Sequence, residues 1–443
     1  MIEEGQTVLT EITDMSDQGQ AIGRTDGLIV FVPGAVPGDR VSAVITKMNR
    51  NYALAELQSV EKPSKKRIEP FCPYSETCGG CAMASIDYQE QLPVKKKQVS
   101  DKLIHIGGVC NPDVKDMLFM KNPFHYRNKA VFAVKDRKVG FYRAGSHEIE
   151  EIRDCMLVHP AAMAAAEALR EFLADSRAVI SGMTVRTSET CGEAMVVLGS
   201  PYDNISQAER LIEMLDERMT GEDMSLESVA LDNKGKVSIL AGKKTVRNRT
   251  GGIDLEISPL SFYQVNPEMT EKLYDKAAEY AGFTGKEILL DLYCGAGSIG
   301  LSCAGKARYV IGIESLRDAV LDANRNASIN GIVNARYICG KAETELPALL
   351  AGEGDEELAG MAEMTDVVIL DPPRAGCRRE LLEAAAAADP KRIVYVSCDP
   401  ATLARDVKIL GSLGYDFREV TPVDMFPWTM HVETVVLMSR KDK

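Results

Sequence analysis

Apolar positions change their spacing twice along the chain. Over the first 60 residues they fall in short runs rich in β-branched side chains: 8–12, 27–32, 39–47 and 53–60. Gly-Gln, Asp-Gly and Pro-Gly pairs separate these runs. So many short strands in so few residues predict a small OB-like barrel, an architecture that suits oligonucleotides. Residues 61–70 are charged and carry Pro63 and Pro70, and are expected to form a linker. A mixed stretch follows, with a helical pattern at 95–106, strand patterns at 129–134 and 194–198, and a helix at 160–173.

From Pro267 onward the pattern is regular. Residues 268–280 place Met269, Leu273, Ala277 and Tyr280 on one helical face, with Gly282 positioned to end the helix. Short apolar runs then alternate with helices at 288–293, 309–314, 336–339, 367–370 and 393–396, as expected of parallel strands covered on both faces. Two last runs, 417–423 and 432–438, have no helix between them and are expected to pair antiparallel. The expected fold class is α/β: a Rossmann-like catalytic domain over 261–443, a central α+β domain over 66–260, and the barrel over 1–60.

Size and charge narrow the classes. The 443 residues, 45% of them hydrophobic, are enough for several cores. No apolar run reaches the length of a membrane span, and Met1-Ile2-Glu3-Glu4-Gly5 lacks the pattern of a secretory signal, so a soluble, cytoplasmic and monomeric protein is expected. The net charge of -13 argues against a generally basic nucleic-acid binder. Local basic clusters at 47–50, 65–67, 95–97 and 243–249 still leave room for phosphate contacts, although each alone reads as a solvated face.

The chemistry concentrates at strand ends. Leu290-Asp291-Leu292-Tyr293-Cys294-Gly295-Ala296-Gly297-Ser298 joins a strand to a helix, and the next strand ends in Glu314, a carboxylate that can accept both hydroxyls of a ribose. Asp371-Pro372-Pro373-Arg374 makes a rigid turn at a neighbouring strand mouth. Taken together these favour an S-adenosylmethionine (SAM) site over a dinucleotide site. Cys398, in Ser397-Cys398-Asp399-Pro400-Ala401-Thr402, follows a buried strand and precedes a helix, where amides and dipole stabilise a thiolate. Asp399 is placed to cap that helix. Glu433 opens the last strand and reads equally well as a base or as a solvent-facing charge.

Eleven cysteines in a chain of this length point to metal ligands or nucleophiles rather than disulfides. Cys72, Cys78 and Cys81 follow a C-x5-C-x2-C spacing around Gly79-Gly80. Cys155 is preferred to Cys110 as a fourth ligand, and zinc and an iron–sulfur cluster both suit the spacing.

Together these motifs resemble the bacterial RNA uracil-5 methyltransferases, in particular the ribosomal RNA branch with a TRAM domain and a [4Fe-4S] cluster. The resemblance spans nearly the whole chain and rests on Cys72…Cys78-Gly79-Gly80-Cys81, Phe262-Tyr263-Gln264-Val265-Asn266, 291–297, 371–374, 397–402 and His431-Val432-Glu433. It implies Cys398 as nucleophile and Glu433 as the base that removes the C5 proton. Gln264, Tyr293, Glu314 and Asp371 would contact SAM, and Cys72, Cys78, Cys81 and Cys155 would hold the cluster. The barrel and central segment would grip RNA, with 23S ribosomal RNA as the expected partner and the target base flipped out. Many members carry Asn after the catalytic cysteine, whereas this chain has Asp399, whose charge opposes thiolate formation.

Four rival readings share parts of this pattern. Transfer RNA could be the substrate of the same chemistry. A SAM-binding but non-catalytic ribosomal RNA assembly factor would have no need of Cys398 or Glu433. Cytosine-5 and adenine-N6 enzymes would place a cysteine or an aromatic residue where Arg374 stands.

Overall fold

The computed structural model describes residues 2–441; Met1, Asp442 and Lys443, at the ends of the expected outer domains, lie outside the described residues. The chain divides into two compact units. One takes residues up to Gln98 together with Tyr142–Glu150 and Phe426–His431; the other takes Val99–Phe141, Glu151–Met425 and the chain from Val432 onward.

In the first unit, strands β1 (Thr7–Met15), β2 (Ala21–Thr25), β3 (Leu28–Val32), β4 (Arg40–Met48) and β5 (Tyr52–Lys62) close a barrel in the order β1-β2-β3-β5-β4. Alternation along β1 and β4 turns Val8, Ile12, Val41, Ala43 and Ile45 into the barrel core. Strand β2 escapes a pattern search because Gly23 and Arg24 interrupt its apolar positions. The segment after β5 is not a free linker. Arg67 reaches back to the buried carboxylate of Asp39 through Nε (3.1 Å) and Nη2 (2.6 Å), and Ser64 N donates to the same group (2.8 Å). Burial alone would raise the Asp39 pKa, but the Arg67 side chain and the Ser64 and Val36 amides outweigh it and hold the group below its usual value.

Helix α1 (Tyr88–His105) begins seven residues before the expected start at residue 95, because Gln89, Glu90, Gln91 and Pro93 hide its first turns from an apolar pattern. Lys95, expected as part of a surface basic cluster, is instead fully buried and donates to the Phe426 carbonyl (3.0 Å).

The middle of the chain contributes β6 (Lys129–Lys135), β7 (Lys138–Tyr142), β8 (Ile149–Glu150, in the first unit), α2 (Pro160–Asp175), β9 (Gly182–Ser188), β10 (Glu193–Gly199), α3 (Ala208–Thr220), β11 (Ser225–Asn233) and β12 (Lys236–Gly242). Within the second unit these strands are ordered β12-β11-β10-β9-β6-β7. Only β10 and β11 are parallel, and α3 makes the crossover between them. A hairpin of β13 (Val246–Thr250) and β14 (Ile253–Ile257) follows.

The last part begins with α4 (Pro267–Ala281). Asn266 caps it by accepting from Met269 N (3.2 Å), and Gly282 ends it in the left-handed region (φ 59°). Then come β15 (Ile288–Leu292), α5 (Ser298–Ala304), β16 (Tyr309–Glu314), α6 (Arg317–Ile329), β17 (Ala335–Cys339), α7 (Ala342–Leu350), α8 (Glu356–Ala362), β18 (Val367–Leu370), α9 (Arg379–Ala387), β19 (Arg392–Ser397), α10 (Pro400–Ser412), β20 (Tyr415–Val423) and β21 (Glu433–Arg440). The sheet order is β17-β16-β15-β18-β19-β21-β20. The first five strands are parallel, and β21 runs antiparallel between β19 and β20. This is the expected doubly wound sheet with a terminal hairpin. Strands β15, β18 and β19 lie at its centre, so their carboxyl ends gather the expected site residues. Among the described residues no helix is long and apolar enough to cross a membrane.

Candidate active site

The glycine-rich turn after β15 shapes a cleft. Tyr293 leaves the strand in the left-handed region (φ 63°), an uncommon conformation for a non-glycine residue. Gly297 (φ 78°) opens α5, and a Cβ there would stand 2.7 Å from the Tyr337 hydroxyl, so only glycine lets the chain pass. The cleft is lined by Phe262, Tyr263, Tyr274, Tyr293, Cys294, Gly295, Ala296, Ser298, Ile299 and Asp371. Tyr293 and Asp371, two of the residues expected to contact SAM, are among its lining residues.

Glu314 ends the neighbouring strand and accepts from Gly295 N (3.1 Å) and Leu316 N (2.8 Å), so it braces the turn, although it is not itself among the lining residues. Gln264 is buried in the segment that supplies Phe262 and Tyr263, with its carbonyl held by Asn128 Nδ2 (3.1 Å), but it is not among the lining residues. Tyr274 was missed: it sits beside Leu273 on α4, and its hydroxyl lies 2.7 Å from Ser298 Oγ. Two buried polar atoms close to this turn have no partner, Asp291 Oδ1 and Tyr337 Oη. Asp291 Oδ2 accepts from Gly300 N (2.9 Å), and burial pushes this carboxyl up to about 7. Unsatisfied buried groups beside a glycine turn fit a polar cofactor such as SAM.

Three reactive groups meet next to the cleft. In the β19–β21 register Ser397 faces Thr434, which brings Cys398 opposite Glu433. Asp371 follows β18, the strand on the other side of β19. Glu433 is 3% exposed, so it is not an ordinary solvent-facing charge. Burial first, and then the Asp371 carboxylate, push it up to about 8; Arg374 opposes this. Asp371 is itself pushed up to about 7, by burial and by Asp291.

Cys398 differs from the expectation of a helix-stabilised thiolate. Burial, Glu433 and Asp371 push its thiol up to about 12, with Arg374 lowering it and Asp399 adding a smaller rise. Burial is the main cause, and the helix start gives the thiol no relief. Asp399 Oδ1 accepts from both Ala401 N and Thr402 N (2.9 Å each), so the capping carboxylate occupies the amides that would otherwise favour a thiolate.

The loop that carries Arg374 is anchored by Asp406 of α10, a fully buried carboxylate. It accepts from Cys377 N (2.8 Å), Tyr395 Oη (2.6 Å) and Arg405 Nε (2.7 Å). Thr402 Oγ1 also donates to the Arg374 carbonyl (3.2 Å). Cys377 is a buried thiol pushed up to about 12 by burial and serves this packing.

The cysteine loop lies in the first unit. Ser75 N donates to the Cys72 carbonyl (3.2 Å), Cys78 N to the Tyr74 carbonyl (2.7 Å), and Ala144 N to the Thr77 carbonyl (3.0 Å). Cys72, Cys78, Cys81 and Cys155 are half-buried and in no disulfide. Among the described residues, however, no group of three or more His, Cys, Asp or Glu side chains is disposed to hold a metal ion. The expected ligand set thus draws no support from the geometry, and Cys155 lies in the other unit.

A central parallel sheet, a glycine turn against a strand-end carboxylate, and an amino-terminal barrel define a methyltransferase of the SAM-dependent class. The profile of the tRNA (uracil-5-)-methyltransferase family matches residues 87–441, and that of the TRAM domain matches residues 2–58. The chain belongs to this family of RNA uracil-5 methyltransferases. It is 40% identical to an uncharacterized RNA methyltransferase of Caldanaerobacter subterraneus over 99% of both chains. It is 36% identical to one of Listeria innocua, over 100% of this chain and 99% of the other. Among solved structures it is similar to the Pyrococcus abyssi tRNA (uracil-54, C5)-methyltransferase in complex with S-adenosyl-L-homocysteine. That match has a TM-score of 0.75 and 27% identity, and covers 97% of this chain and 99% of the other.

The Asp399 cap yields a prediction. Asn caps a helix about as well as Asp, so Asp399→Asn removes a negative charge beside Cys398 while keeping α10 intact. The Cys398 pKa is expected to fall, and its alkylation by iodoacetamide at pH 8, followed by peptide mass spectrometry, to speed up severalfold. An unchanged or slower rate would show that the charge of Asp399 does not restrain the thiol.

Proposed function

We propose that this protein forms 5-methyluridine in 23S ribosomal RNA through a covalent bond between Cys398 and uracil C6. The observation that carries this reading is the strand register that sets Cys398 opposite Glu433, with Asp371 on the adjoining strand. Uracil C5 is a weak nucleophile. Cys398 gives up its proton to solvent, and addition of the resulting thiolate to C6 moves the C5=C6 electron pair into an enolate and makes C5 reactive. SAM, when bound, supplies the methyl group as an electrophile. Glu433 then takes the C5 proton, the C5=C6 bond re-forms, and the C6–S bond breaks to release Cys398.

A carboxyl pushed up to about 8 is mostly protonated at neutral pH in the empty cleft; once a cationic cofactor favours its ionised form, it is a stronger base than an ordinary glutamate. Burial and two carboxylates keep Cys398 protonated in the empty cleft. Thiolate formation therefore depends on positive charge, from Arg374 and from a cationic cofactor near Asp371 and Glu433. In this reading Gln264, Tyr293, Glu314 and Asp371 hold SAM, the last two by their carboxylates.

A second reading keeps the chemistry and places it on transfer RNA. The likeness to the Pyrococcus abyssi enzyme favours it.

The sequence spacing and the family resemblance support a [4Fe-4S] cluster on Cys72, Cys78 and Cys81, with Cys155, preferred to Cys110 in the sequence and implied by the resemblance, as the fourth ligand. No catalytic step passes through it. Anaerobically purified protein is expected to contain about four iron and four sulfide ions per chain. Zinc, or no metal, in protein that still methylates RNA would remove the cluster from the account.

The substrate test is SAM-dependent tritium release from RNA labelled at uracil C5, with unmodified ribosomal RNA and transfer RNA as separate substrates. Release from ribosomal RNA is expected, with loss of at least about a thousandfold in Cys398→Ala. Release from transfer RNA alone would transfer the assignment to the second reading. No release from either would overturn the uridine C5 chemistry.

A further inference from the structure

Among the described residues, the middle sheet holds two cations, Lys129 and Arg186, with no carboxylate at ion-pair distance. Strands β6 and β9 pair antiparallel with Lys129 directly opposite Arg186, so both side chains leave the same face as neighbours. Arg186 is 2% exposed. Its Nη2 donates to the Ser261 carbonyl (2.8 Å), and its Nη1 has no partner. Asp322 acts on it only from beyond ion-pair distance, being taken up by Ser258 Oγ (2.7 Å), Ser261 Oγ (2.6 Å) and Arg325 Nη1 (2.8 Å). Lys129 is half-buried, and burial followed by the charge of Arg186 pushes its amine down to about 8.

Three cations of the 243–249 cluster are treated differently. Lys243 is paired with Glu227 (2.7 Å), Arg247 with Glu193 (2.6 Å) and Arg249 with Asp254 (2.6 Å). Like charges set side by side with an unsatisfied guanidinium N–H are costly, and an anion would offset that cost. The position matters as well. Arg186 holds Ser261 and Asn128 holds Gln264, so this pair of strands braces the segment that presents Phe262 and Tyr263 to the cofactor cleft. Phe262 is 60% exposed, and so is Val131, two residues from Lys129 on the same face of β6. A strand of RNA laid across this face would meet apolar surface for its bases and, for its backbone, the Lys129 amine with the charge of Arg186 buried beneath it.

We propose that Lys129 and Arg186 hold one phosphodiester group of the RNA strand that delivers its base to the cleft. The proposal rests on the RNA methyltransferase reading. Lys129 makes the contact as a point charge from the accessible side, and Arg186 adds its positive charge from beneath. Because Arg186 is buried and its replacement could unfold the sheet, the test centres on Lys129.

Full-length protein would be titrated with a fluorescent single-stranded uridine-containing RNA over a series of KCl concentrations, as wild type, Lys129→Gln, Lys129→Arg and Arg186→Lys. SAM affinity by calorimetry would serve as the control for folding. Lys129→Gln is expected to weaken RNA binding about tenfold and to lower the slope of log K against log salt by about 1. Lys129→Arg should restore both, and SAM affinity should not change. An unaltered slope and affinity in Lys129→Gln would overturn the proposal. Millimolar inorganic phosphate that binds through Lys129 without competing with RNA would also overturn it, in favour of a free-anion site. If the slope falls as expected but no RNA is methylated, the phosphate site stands and the enzymatic reading fails. If RNA is methylated and the slope is unchanged, the site alone fails.

Discussion

The antiparallel pairing of β21 with β19 is the constraint on which the active site depends. All the other strands around the cleft run parallel and end on the same edge, which brings Asp291, Glu314, Asp371 and Cys398 to one mouth. A sixth parallel strand would have carried its first residue to the far edge of the sheet. Because β21 is reversed, its first residue, Glu433, arrives at that mouth opposite Cys398. A slip of one residue would turn Glu433 to the other face of the sheet and leave the thiol without a base. The central position of β21, between β19 and β20, fixes this register through ladders on both sides.

The second organising feature is a crowd of buried carboxyl groups held short of their ordinary acidity. Burial pushes Asp291, Asp371 and Glu433 up; Glu314 adds to this at Asp291, Asp291 at Asp371 and Asp371 at Glu433, with Arg374 the cation that opposes it at Cys398 and Glu433. Such a site is poorly solvated when empty and favours a positively charged ligand. Fixing the Arg374 loop therefore matters to the charge balance. That is the work of Asp406, whose bonds to Cys377, Tyr395 and Arg405 tie the loop to β19 and α10.

How much could be read in advance depended on how local each feature is. Strands β15, β16, β18 and β19 are fully buried runs bounded by turns, and their pattern alone identified them. The Asp399 cap was legible because Asp-Pro after a buried strand has one good structural use. The thiol pKa was not, since it depends on Glu433 and Asp371, which come from distant parts of the chain. The same limit hid Lys129 and Arg186: each looks like an ordinary strand cation until the register sets them side by side. Strand β2 and the first turns of α1 were lost for a different reason, their apolar signal being broken by Gly23, Arg24 and Pro93.

The central claim is that Cys398 attacks uracil and Glu433 completes the reaction by removing the proton at C5. Fluorine at C5 cannot be removed as a proton, so RNA containing 5-fluorouridine should stall the enzyme after methyl transfer. Intact-mass and peptide mass spectrometry of protein incubated with SAM and such RNA would test this directly. A SAM-dependent covalent complex, carrying the methylated nucleotide on the Cys398 peptide, is the result expected. No covalent complex from protein that methylates ordinary RNA, or a bond at another cysteine such as Cys377, would contradict the account.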